Sequence, residues 1–295
     1  RRKGRLQKMK TSQMKIGVIG FGYWGKIITR NLRELGHTDI TICEKDDIDW
    51  HEIGTKHAHV KDYRELQCDK VFVVVPVASH YEVCKHFLER GIDVFCEKPL
   101  DTNLESCQKL YSIADQNNCK LFVDWIFTYN PAVNKIKCLI KSMGKPKSII
   151  ANRMNFGPVR SDVDARWDLA SHDVSIACHI LDEAPLESQW LNFSRNKASK
   201  QNDSTVGILR FSETSVQINA SWSYGIKNRM YVLEFEDSFL HWDDNTSTLL
   251  YGSEIIPCDK LSPLHASIET FINGNFVQKQ LTLDITRTLQ SNDQV

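Results

Sequence analysis

The sequence predicts an α/β fold in which a doubly wound parallel sheet precedes an α+β region with one open, mostly antiparallel sheet. Strand and helix patterns alternate over residues 14–125, which is typical of βα units in a parallel sheet. A glycine-rich turn at residues 20–25 follows the first strand and begins the first helix. Short strands of alternating polarity dominate residues 187–257, which indicates antiparallel pairing.

The elements of the first half follow from its apolar runs. Residues 14–20 form a nearly continuous apolar strand of the kind that parallel sheets bury on both faces. A helix follows to about Leu35, and residues 40–44 form the second strand. Residues 71–75 are rich in β-branched side chains, and Pro76 ends this strand. The remaining predicted elements are a helix at 79–90, a strand at 93–97, a helix at 103–117 and a strand at 119–123.

The second half has a different pattern. We predict helices at about 131–142 and 168–181, with an extended segment at 147–157 between them. In residues 216–223 apolar side chains occupy the even positions, which predicts a half-buried antiparallel strand. Residues 211–214 supply its hairpin turn. The last predicted helix spans 263–273 and ends at Asn273-Gly274-Asn275.

Composition bounds the class of protein. The chain has 295 residues, of which 41% are hydrophobic and 25% charged, so at ~150 residues per domain we expect two domains. Its longest apolar run, residues 71–78, is far shorter than the ~20 residues of a membrane helix. The 37 basic and 37 acidic side chains give no net charge, whereas proteins that bind nucleic acids or membrane surfaces usually carry an excess of basic side chains. We therefore predict no nucleic-acid partner and no membrane partner.

Two local features of the composition concern the tail and the thiols. Residues 1–13 carry six basic side chains and no acidic one, and we expect a solvated basic tail there rather than a targeting or nucleic-acid-binding arm. The nine cysteines contain no C-x-x-C pair, and most lie within apolar patterns. Buried free thiols in a reducing compartment account for them, so we predict a cytoplasmic protein without a metal site.

The glycine-rich turn fits a dinucleotide. Its first glycine permits a tight turn, its second lets the backbone approach a pyrophosphate, and its third allows the helix to pack closely on the strand. The helix N-terminus adds free N–H groups and the positive end of the helix dipole. The predicted cofactor contacts are Gly20, Phe21, Gly22, Tyr23, Trp24 and Gly25. The alternative is a glycine-rich turn without a ligand.

Glu44 indicates which dinucleotide binds. It ends the second strand, 19 residues after Gly25, where an acidic side chain would bind the adenosine ribose hydroxyls. A carboxylate at this place favours NAD over NADP because it would repel a 2′-phosphate. Lys45 acts against this preference, since its ammonium group could turn toward the 2′-phosphate of NADP. We predict NAD as the cofactor, with Glu44 and Lys45 beside the ribose.

Glu97-Lys98-Pro99 comes at the end of a predicted parallel strand. Ligands of open α/β sheets bind outside the carboxyl ends of the strands, so this tripeptide should face the cofactor. A lysine beside a nicotinamide could polarise or deprotonate a substrate hydroxyl. The alternative is a surface lysine that pairs with Glu97.

Asp168 and His172 stand four residues apart at the start of a predicted helix. If the helix has begun at Asp168, both side chains lie on one face. A carboxylate can orient an imidazole and stabilise its protonated form, so the pair suits acid–base chemistry. The alternatives are an N-capping Asp168 or Ser171 and a structural histidine.

In this order, the three motifs resemble those of the glucose–fructose oxidoreductase/inositol dehydrogenase/rhizopine catabolism (Gfo/Idh/MocA) family. The resemblance covers residues 14 to about 290 and includes Ser262-Pro263-Leu264 and residues 269–272, which are similar to a late helix of the family. Residues 152–157 and 166–173 look most like the nucleotide-sugar branch. Members of that branch oxidise the 3-hydroxyl of a UDP-linked N-acetylamino sugar uronate.

The resemblance implies an NAD-dependent sugar dehydrogenase with a Rossmann domain at 14–125 and a substrate-binding and oligomerisation domain at 126–295. It implies that Lys98 is the catalytic lysine and that Asp168 and His172 form the acid–base dyad. The matching cofactor-contacting positions are Pro76, His80, Glu97 and Lys98, and residues 123–131, with Tyr129, match the stretch that lines the substrate cleft. Asp124-Trp125 departs from the family pattern, which affects the expected shape of the substrate site.

Our leading hypothesis is reversible hydride transfer between the nicotinamide and a ring carbinol carbon of a nucleotide-activated amino or uronate sugar. His172, oriented by Asp168, or Lys98 would take the hydroxyl proton, and the sequence leaves open which of them is the base. Three side chains are candidates to hold a sugar carboxylate or diphosphate: Arg153, Asn155 and Arg160. Ordinary charge on the surface of the sheet is the alternative for these three.

Two other functions stay open. The first is a dehydrogenase of a free polyol, sugar or dihydrodiol, which a preference for free over nucleotide-linked sugars would indicate. The second is a non-catalytic NAD-binding sensor or regulator on the same fold. A sensor would have no need to retain Lys98, Asp168 and His172 together.

The polar side of strand 216–223 predicts self-association. Gln217, Asn219 and Ser221 leave one face of the sheet without a cover. In relatives this face meets its copy in another subunit, so the resemblance implies a homodimer or homotetramer through the C-terminal sheet.

Overall fold

The computed structural model describes residues 14–50, 57–196 and 200–291, and the predicted basic tail at 1–13 lies outside them. The described residues form two sheets, one parallel and one mostly antiparallel, with helices packed on both. The predicted fold class is confirmed.

The first sheet has six parallel strands in the order β3-β2-β1-β4-β5-β6. Its central strand pairs with two others, since Ile16 lies opposite Ile40 on one side and Lys70 on the other. This order places the carboxyl ends of the first and fourth strands beside each other, where such sheets bind dinucleotides. The strands are β1 (Ile16–Ile19), β2 (Ile40–Cys43), β3 (Ala58–Val60), β4 (Lys70–Val73), β5 (Asp93–Cys96) and β6 (Leu121–Val123).

Helices cover both faces of this sheet. The three that connect its strands are α1 (Tyr23–Glu34), α2 (His80–Leu88) and α3 (Leu104–Gln116). Asn103 caps the third of them, because its side chain accepts a hydrogen bond from the Ser106 N–H group. These elements agree with the predicted ones to within a few residues, except that β3 was not predicted.

The second sheet has eight strands in the order β14-β13-β12-β11-β7-β10-β9-β8. All its pairs are antiparallel except β7 with β10, which run parallel. The predicted hairpin turn at 211–214 joins β9 to β10. The strands are β7 (Ser148–Phe156), β8 (Glu187–Phe193), β9 (Ser204–Arg210), β10 (Ser215–Ser221), β11 (Ser223–Glu234), β12 (Phe239–Asp243), β13 (Thr248–Tyr251) and β14 (Glu254–Ile256).

Four helices belong to the second half of the chain: α4 (Pro131–Met143), α5 (Ser171–Leu181), α6 (Pro263–Asn273) and α7 (Lys279–Gln290). A single π-helical turn, Arg166–Ala170, leads into α5. The start of α6 was predicted from its sequence, and Gly274 ends it with a positive φ. The helix α7 was not predicted.

The position of α6 links the two halves of the chain. Phe271 of this helix is buried against Phe72, Phe95 and Phe122 of the first sheet, with ring centroids 5.1, 5.6 and 5.9 Å away. A segment from the second half thus completes the hydrophobic core of the first sheet. The domain boundary after residue 125 remains a prediction.

No helix within the described ranges combines the length and the apolar character that crossing a membrane requires.

Candidate active site

The glycine-rich turn is shaped by two close backbone contacts. Gly20 has a φ of +89°, and a Cβ there would lie 2.3 Å from the Val74 carbonyl oxygen. A Cβ on Gly25 would lie 2.1 Å from the Gly20 carbonyl oxygen. Any side chain at either position would therefore disrupt the turn. Around Gly22, in contrast, nothing lies within 4 Å of an added Cβ, so the backbone is open to a ligand.

The N-terminus of α1 has the features of an anion-binding site. Gly22 is its N-cap and offers no side-chain hydrogen bond, and the first turn contains no acidic residue. Its leading N–H groups and the positive end of the helix dipole therefore suit a pyrophosphate. Tyr23 and Trp24 flank this point, and both side chains are exposed. The residues present fit a bound dinucleotide.

Glu44 lies next to the same turn. Its carboxylate accepts hydrogen bonds from the Phe21 N–H group at 2.7 Å and from the Lys45 N–H group at 2.8 Å. These bonds fix the carboxylate at the end of β2, and each oxygen keeps a lone pair for a further donor. The side chain of Lys45 is exposed.

The turn after β5 carries Lys98 and is hydrogen-bonded to the side chain of His80. The His80 ring is 1% exposed and lies between the carbonyl oxygens of Pro99, at 2.9 Å, and Val75, at 2.8 Å. His80 thus differs from the expectation of a cofactor contact, because its ring connects two turns below the site surface. Pro76, one residue after Val75, is exposed at the end of the neighbouring strand.

Lys98 and Asp168, which are 70 residues apart in the chain, meet in the structure. The Lys98 ammonium group donates to the Asp168 carbonyl oxygen at 2.7 Å and lies 3.1 Å from its Oδ1 atom. Two of the three predicted motifs therefore form one site at the carboxyl end of the first sheet. The lysine is the hydrogen-bond donor and the carboxylate is its counterion.

Asp168 has two further partners. Trp222 donates from its indole Nε1 to Oδ2 at 3.0 Å, and the Arg160 guanidinium lies 3.4 Å from Oδ1. Burial alone would raise the pKa of Asp168, but the charges of Lys98 and Arg160 outweigh it and hold this pKa below its usual value. Asp168 is therefore a carboxylate at neutral pH.

The ring of His172 lies close by but does not bind Asp168. Its Nδ1 atom is buried and has no hydrogen-bond partner among the residues that the structure describes. Phe127 packs edge-on against the ring, with centroids 5.0 Å apart. The expected contact from Asp168 to this ring is absent, because Lys98, Arg160 and Trp222 already occupy the carboxylate.

The electrostatic surroundings of His172 favour the neutral ring. Burial, followed by the positive charges of Lys98, Arg153 and Arg229, lowers its pKa well below the usual value. A neutral imidazole at neutral pH can accept a proton. This property suits a general base.

Arg153 differs from the expectation of a substrate ligand. Its side chain is 3% exposed and binds Asp173, with Nε 3.0 Å from Oδ1 and 3.1 Å from Oδ2 and with Nη2 2.9 Å from Oδ1. It also stacks on Phe127 at 4.3 Å. Tyr231 donates to the Asp173 carbonyl oxygen at 2.7 Å. The Arg153–Asp173 pair therefore fixes α5, and with it His172, on the second sheet.

The other three predicted substrate ligands lie in different places. Arg160 binds Asp162 at 2.7 Å and reaches Asp168, so it belongs to the site. Asn155 donates to the Gly157 carbonyl oxygen at 2.5 Å and accepts from Arg229 at 3.4 Å. The ring of Tyr129 packs near Phe122 and its hydroxyl accepts a hydrogen bond from Gln278, so its place in the substrate cleft stays a prediction.

Two acidic side chains lie near Lys98. Glu97 follows β5 and is half-buried, whereas Asp124 follows β6, the neighbouring strand, is buried and accepts a hydrogen bond from Ser267 at 2.6 Å. Burial is the main cause that raises the pKa of both carboxyl groups, and Asp124 adds to the rise at Glu97. The proximity of Lys98 opposes the rise at both.

Sequence reasoning missed several residues of this site. Trp222 ends the alternating strand 216–223, and its even position predicted burial but not an indole bonded to Asp168. Asp173 stands directly after His172, yet its partner on β7 is a tertiary contact. Arg229 lies on a strand whose polarity pattern is irregular, so no periodic signal assigned it to the site.

Comparison with known proteins adds a family match. Residues 14–125 match the model of an oxidoreductase family with an NAD-binding Rossmann fold, GFO_IDH_MocA. The matched range covers the six strands of the parallel sheet, the glycine-rich turn and Lys98.

Three curated relatives align with longer parts of the chain. An uncharacterised oxidoreductase of Bacillus subtilis is 26% identical over 58% of this chain, and the alignment spans about half of that relative, 54%. A UDP-N-acetylglucosamine 3-dehydrogenase of Acidithiobacillus ferrooxidans is 21% identical over 88% of each chain. An inositol 2-dehydrogenase of Salmonella typhimurium is 26% identical over 72% of this chain and 70% of its own.

Solved structures share the fold over nearly the whole chain. The UDP-N-acetylglucosamine 3-dehydrogenase of Acidithiobacillus ferrooxidans superimposes with a TM-score of 0.82 at 19% identity, covering 94% of this chain and 95% of the other. An oxidoreductase from Agrobacterium radiobacter, solved with NAD⁺, L-tartaric acid and magnesium, superimposes with a TM-score of 0.80 at 14% identity over 95% of each chain. At these identities the likeness shows the fold.

Proposed function

We propose that the chain, whose residues 14–125 match the Gfo/Idh/MocA family model, is an NAD(P)-dependent oxidoreductase that acts on CH–OH groups. We further propose that it oxidises a ring hydroxyl of a nucleotide-activated amino or uronate sugar. One observation carries the proposal: Lys98 and Asp168 meet within 3.1 Å beside His172, at the end of the sheet where a dinucleotide would bind.

The cofactor in this proposal is NAD rather than NADP. The open backbone at Gly22 and the uncapped N-terminus of α1 would hold its pyrophosphate. Glu44 would accept hydrogen bonds from the ribose hydroxyls and repel a 2′-phosphate. When bound, NAD⁺ supplies a hydride acceptor at C4 of its nicotinamide.

A side chain of the protein accepts the proton that the reaction releases. As the C–H bond of the carbinol breaks and its electron pair leaves as hydride, the hydroxyl proton must pass to a base, which leaves a ketone. His172 is the base in this proposal, because its ring lies near Lys98 and is in the neutral form that can accept a proton. Lys98 donates a hydrogen bond to the same oxygen, and Asp168 holds the lysine in place.

The nucleotide-sugar substrate rests on the relative that aligns with 88% of this chain, a UDP-N-acetylglucosamine 3-dehydrogenase. A second candidate is oxidation of a free polyol or sugar, which the alignment with inositol 2-dehydrogenases favours. A non-catalytic NAD-binding sensor would leave the Lys98–Asp168 pair and the neutral His172 without a task.

The test is the appearance of NADH absorbance when purified protein is mixed with NAD⁺ and a panel of UDP- and dTDP-sugars, their uronates and free polyols. We expect reduction of NAD⁺ with a nucleotide sugar. Lys98→Met should lower kcat by about 10²-fold or more, because general catalysis by such a group contributes 10²–10⁴-fold. NAD⁺ binding to this variant should stay close to that of the wild type.

Lys109→Met is a matched control, since Lys109 is an exposed lysine on α3 whose partner, Glu105, lies on the same helix. NAD⁺ reduction that survives in Lys98→Met would refute the assignment of Lys98. Reduction with polyols alone would establish the second candidate instead.

The open face of the second sheet is the proposed subunit contact. Its outward side chains include Ile150, Leu191 and Ile208, which are exposed, together with Gln217. Ser221 differs from the expectation, because it is buried and its hydroxyl binds Ser204. The apolar character of this face supports a homodimer or homotetramer.

A further inference from the structure

Arg229 is a charged residue of the site that the proposed mechanism does not use. It lies on β11 directly opposite Arg153 of β7, on the side of the sheet that faces α5. Its charge contributes to the lowered pKa of His172, after burial, Lys98 and Arg153. Arg229 is therefore close to the proposed base.

The two other arginines of the site have carboxylate partners, whereas Arg229 forms no ion pair with any described residue. Arg153 is held by Asp173, and Arg160 by Asp162 and Asp168. Arg229 makes one long hydrogen bond, from Nη2 to Asn155 Oδ1 at 3.4 Å. Its Nε atom is buried, and no described residue accepts a hydrogen bond from it.

This arrangement carries a free-energy cost that lowers the stability of the protein when no ligand is bound. A guanidinium remains protonated at neutral pH, and a buried charge without a partner opposes folding. Burial and the neighbouring charge of Arg153 both lower the pKa of Arg229, although Asp244 and Asp173 act in the opposite direction from beyond ion-pair distance. Arg229 as a whole is partly exposed, and an anion bound to the accessible part of its guanidinium would offset this cost.

We propose that Arg229 binds a negatively charged group of the substrate and so makes the site selective for anionic sugars. The inference rests on the proposed function and narrows its substrate class. A guanidinium presents a planar fork of N–H donors that matches a carboxylate or a phosphate. A sugar uronate would supply the carboxylate, and a nucleotide diphosphate would supply the phosphate.

The experiment compares Arg229→Met and Arg229→Lys with Lys227→Met as the matched control. Lys227 is exposed on the same strand, so its replacement removes an equal charge at a different place. KM and kcat are measured with UDP-N-acetylglucosamine, its 6-uronate and myo-inositol. We expect Arg229→Met to raise KM for the charged substrates about 10- to 100-fold, with a smaller change in kcat.

The pattern across substrates identifies the anion. A rise in KM with both UDP-sugars assigns Arg229 to the diphosphate, whereas a rise with the uronate alone assigns it to the carboxylate. Arg229→Lys should recover part of the loss because it keeps the charge without the fork. Lys227→Met should behave as the wild type, and Arg229→Met should leave the KM for myo-inositol unchanged if that polyol is a substrate.

Binding without turnover separates this inference from the proposed function. Isothermal titration of NADH-loaded protein with UDP and with glucuronate measures anion affinity directly. If no sugar is oxidised but one of these anions binds the wild type and not Arg229→Met, the proposed function fails and the inference stands. Equal affinity of wild type and Arg229→Met for both anions would overturn the inference, as would an equal loss for charged and neutral substrates.

Folding of the variants is checked by circular dichroism and thermal unfolding. Since Arg229→Met removes an unpaired buried charge, its midpoint should be no lower than that of the wild type. If Arg229→Met does not fold, Arg229→Lys is compared with the wild type instead. The comparison uses the affinity for UDP and glucuronate and the KM values for charged and neutral substrates.

Discussion

At the residue scale, we predict that Glu44 sets the preference for NAD over NADP, and a single isosteric substitution tests this. Glu44→Gln keeps an oxygen that can accept the N–H groups of Phe21 and Lys45 but removes the charge that repels a 2′-phosphate. We expect the ratio of the NADP⁺ to the NAD⁺ dissociation constant to fall about 10- to 100-fold.

Tryptophan fluorescence or calorimetric titration with each cofactor measures that ratio. Asp46→Asn is the control, because Asp46 is an exposed acid two residues further on. A ratio that is unchanged in Glu44→Gln would show that the discrimination lies elsewhere.

The sequence indicates candidate side chains for chemistry more readily than it predicts their partners. Lys98, Asp168 and His172 were proposed from motifs, because each motif is local in the chain. The pairing of Asp168 with Lys98 and Trp222 joins three distant elements, and no spacing rule reports it. Arg153 illustrates the converse, since a sequence cannot show that Asp173 has already neutralised its charge.

At the scale of elements, the adjacent ends of β5 and β6 bring Glu97 and Asp124 together and predict a pH-dependent stability. The folded-state pKa of Asp124 is raised by burial to about 7, above its value in the unfolded chain. A group of this kind contributes stability at low pH that is lost as pH rises through the folded-state pKa. The free energy of unfolding should therefore fall between about pH 4 and about pH 7.

Asp124→Asn should reduce this fall by about 2–4 kcal/mol, since each unit of pKa shift corresponds to ~1.4 kcal/mol. The amide can still accept the hydrogen bond from Ser267. Urea denaturation at the two pH values gives the comparison, with Asp237→Asn, an exposed position, as the control. A fall of equal size in Asp124→Asn and wild type would contradict the prediction.

Elements with strong periodicity were predictable, and those without it were not. The buried strands β1 and β4 and the helix α6 carry clear patterns and end signals. The N-cap residue of helix α7, Gln278, makes no side-chain capping bond, and buried threonines such as Thr282 and Thr286 obscure the apolar face of the helix. The strand β3 has only three residues, too few to establish a period.

At the scale of the whole molecule, the open face of the second sheet predicts the state of association. Leu191 and Ile208, on the neighbouring strands β8 and β9, are 54% and 46% exposed. The double variant Leu191→Arg/Ile208→Arg should place charges in a subunit contact and give a monomer by light scattering, where the wild type gives a dimer or tetramer.

Val277→Arg controls for the added charge, because Val277 is 97% exposed and lies between α6 and α7. A monomeric wild type would refute the proposed contact, and a double variant with the wild-type mass would place the contact on another surface.

The return of α6 to the first sheet has a consequence for synthesis on the ribosome. The strands that carry Phe72, Phe95 and Phe122 leave the exit tunnel long before Phe271, which covers their rings in the finished protein. At ~5–20 residues per second, this aromatic surface stays uncovered for several seconds or longer. The first sheet therefore completes its core only after most of the second half of the chain has been made, and we expect the nascent chain to expose an aromatic patch to chaperones in the meantime.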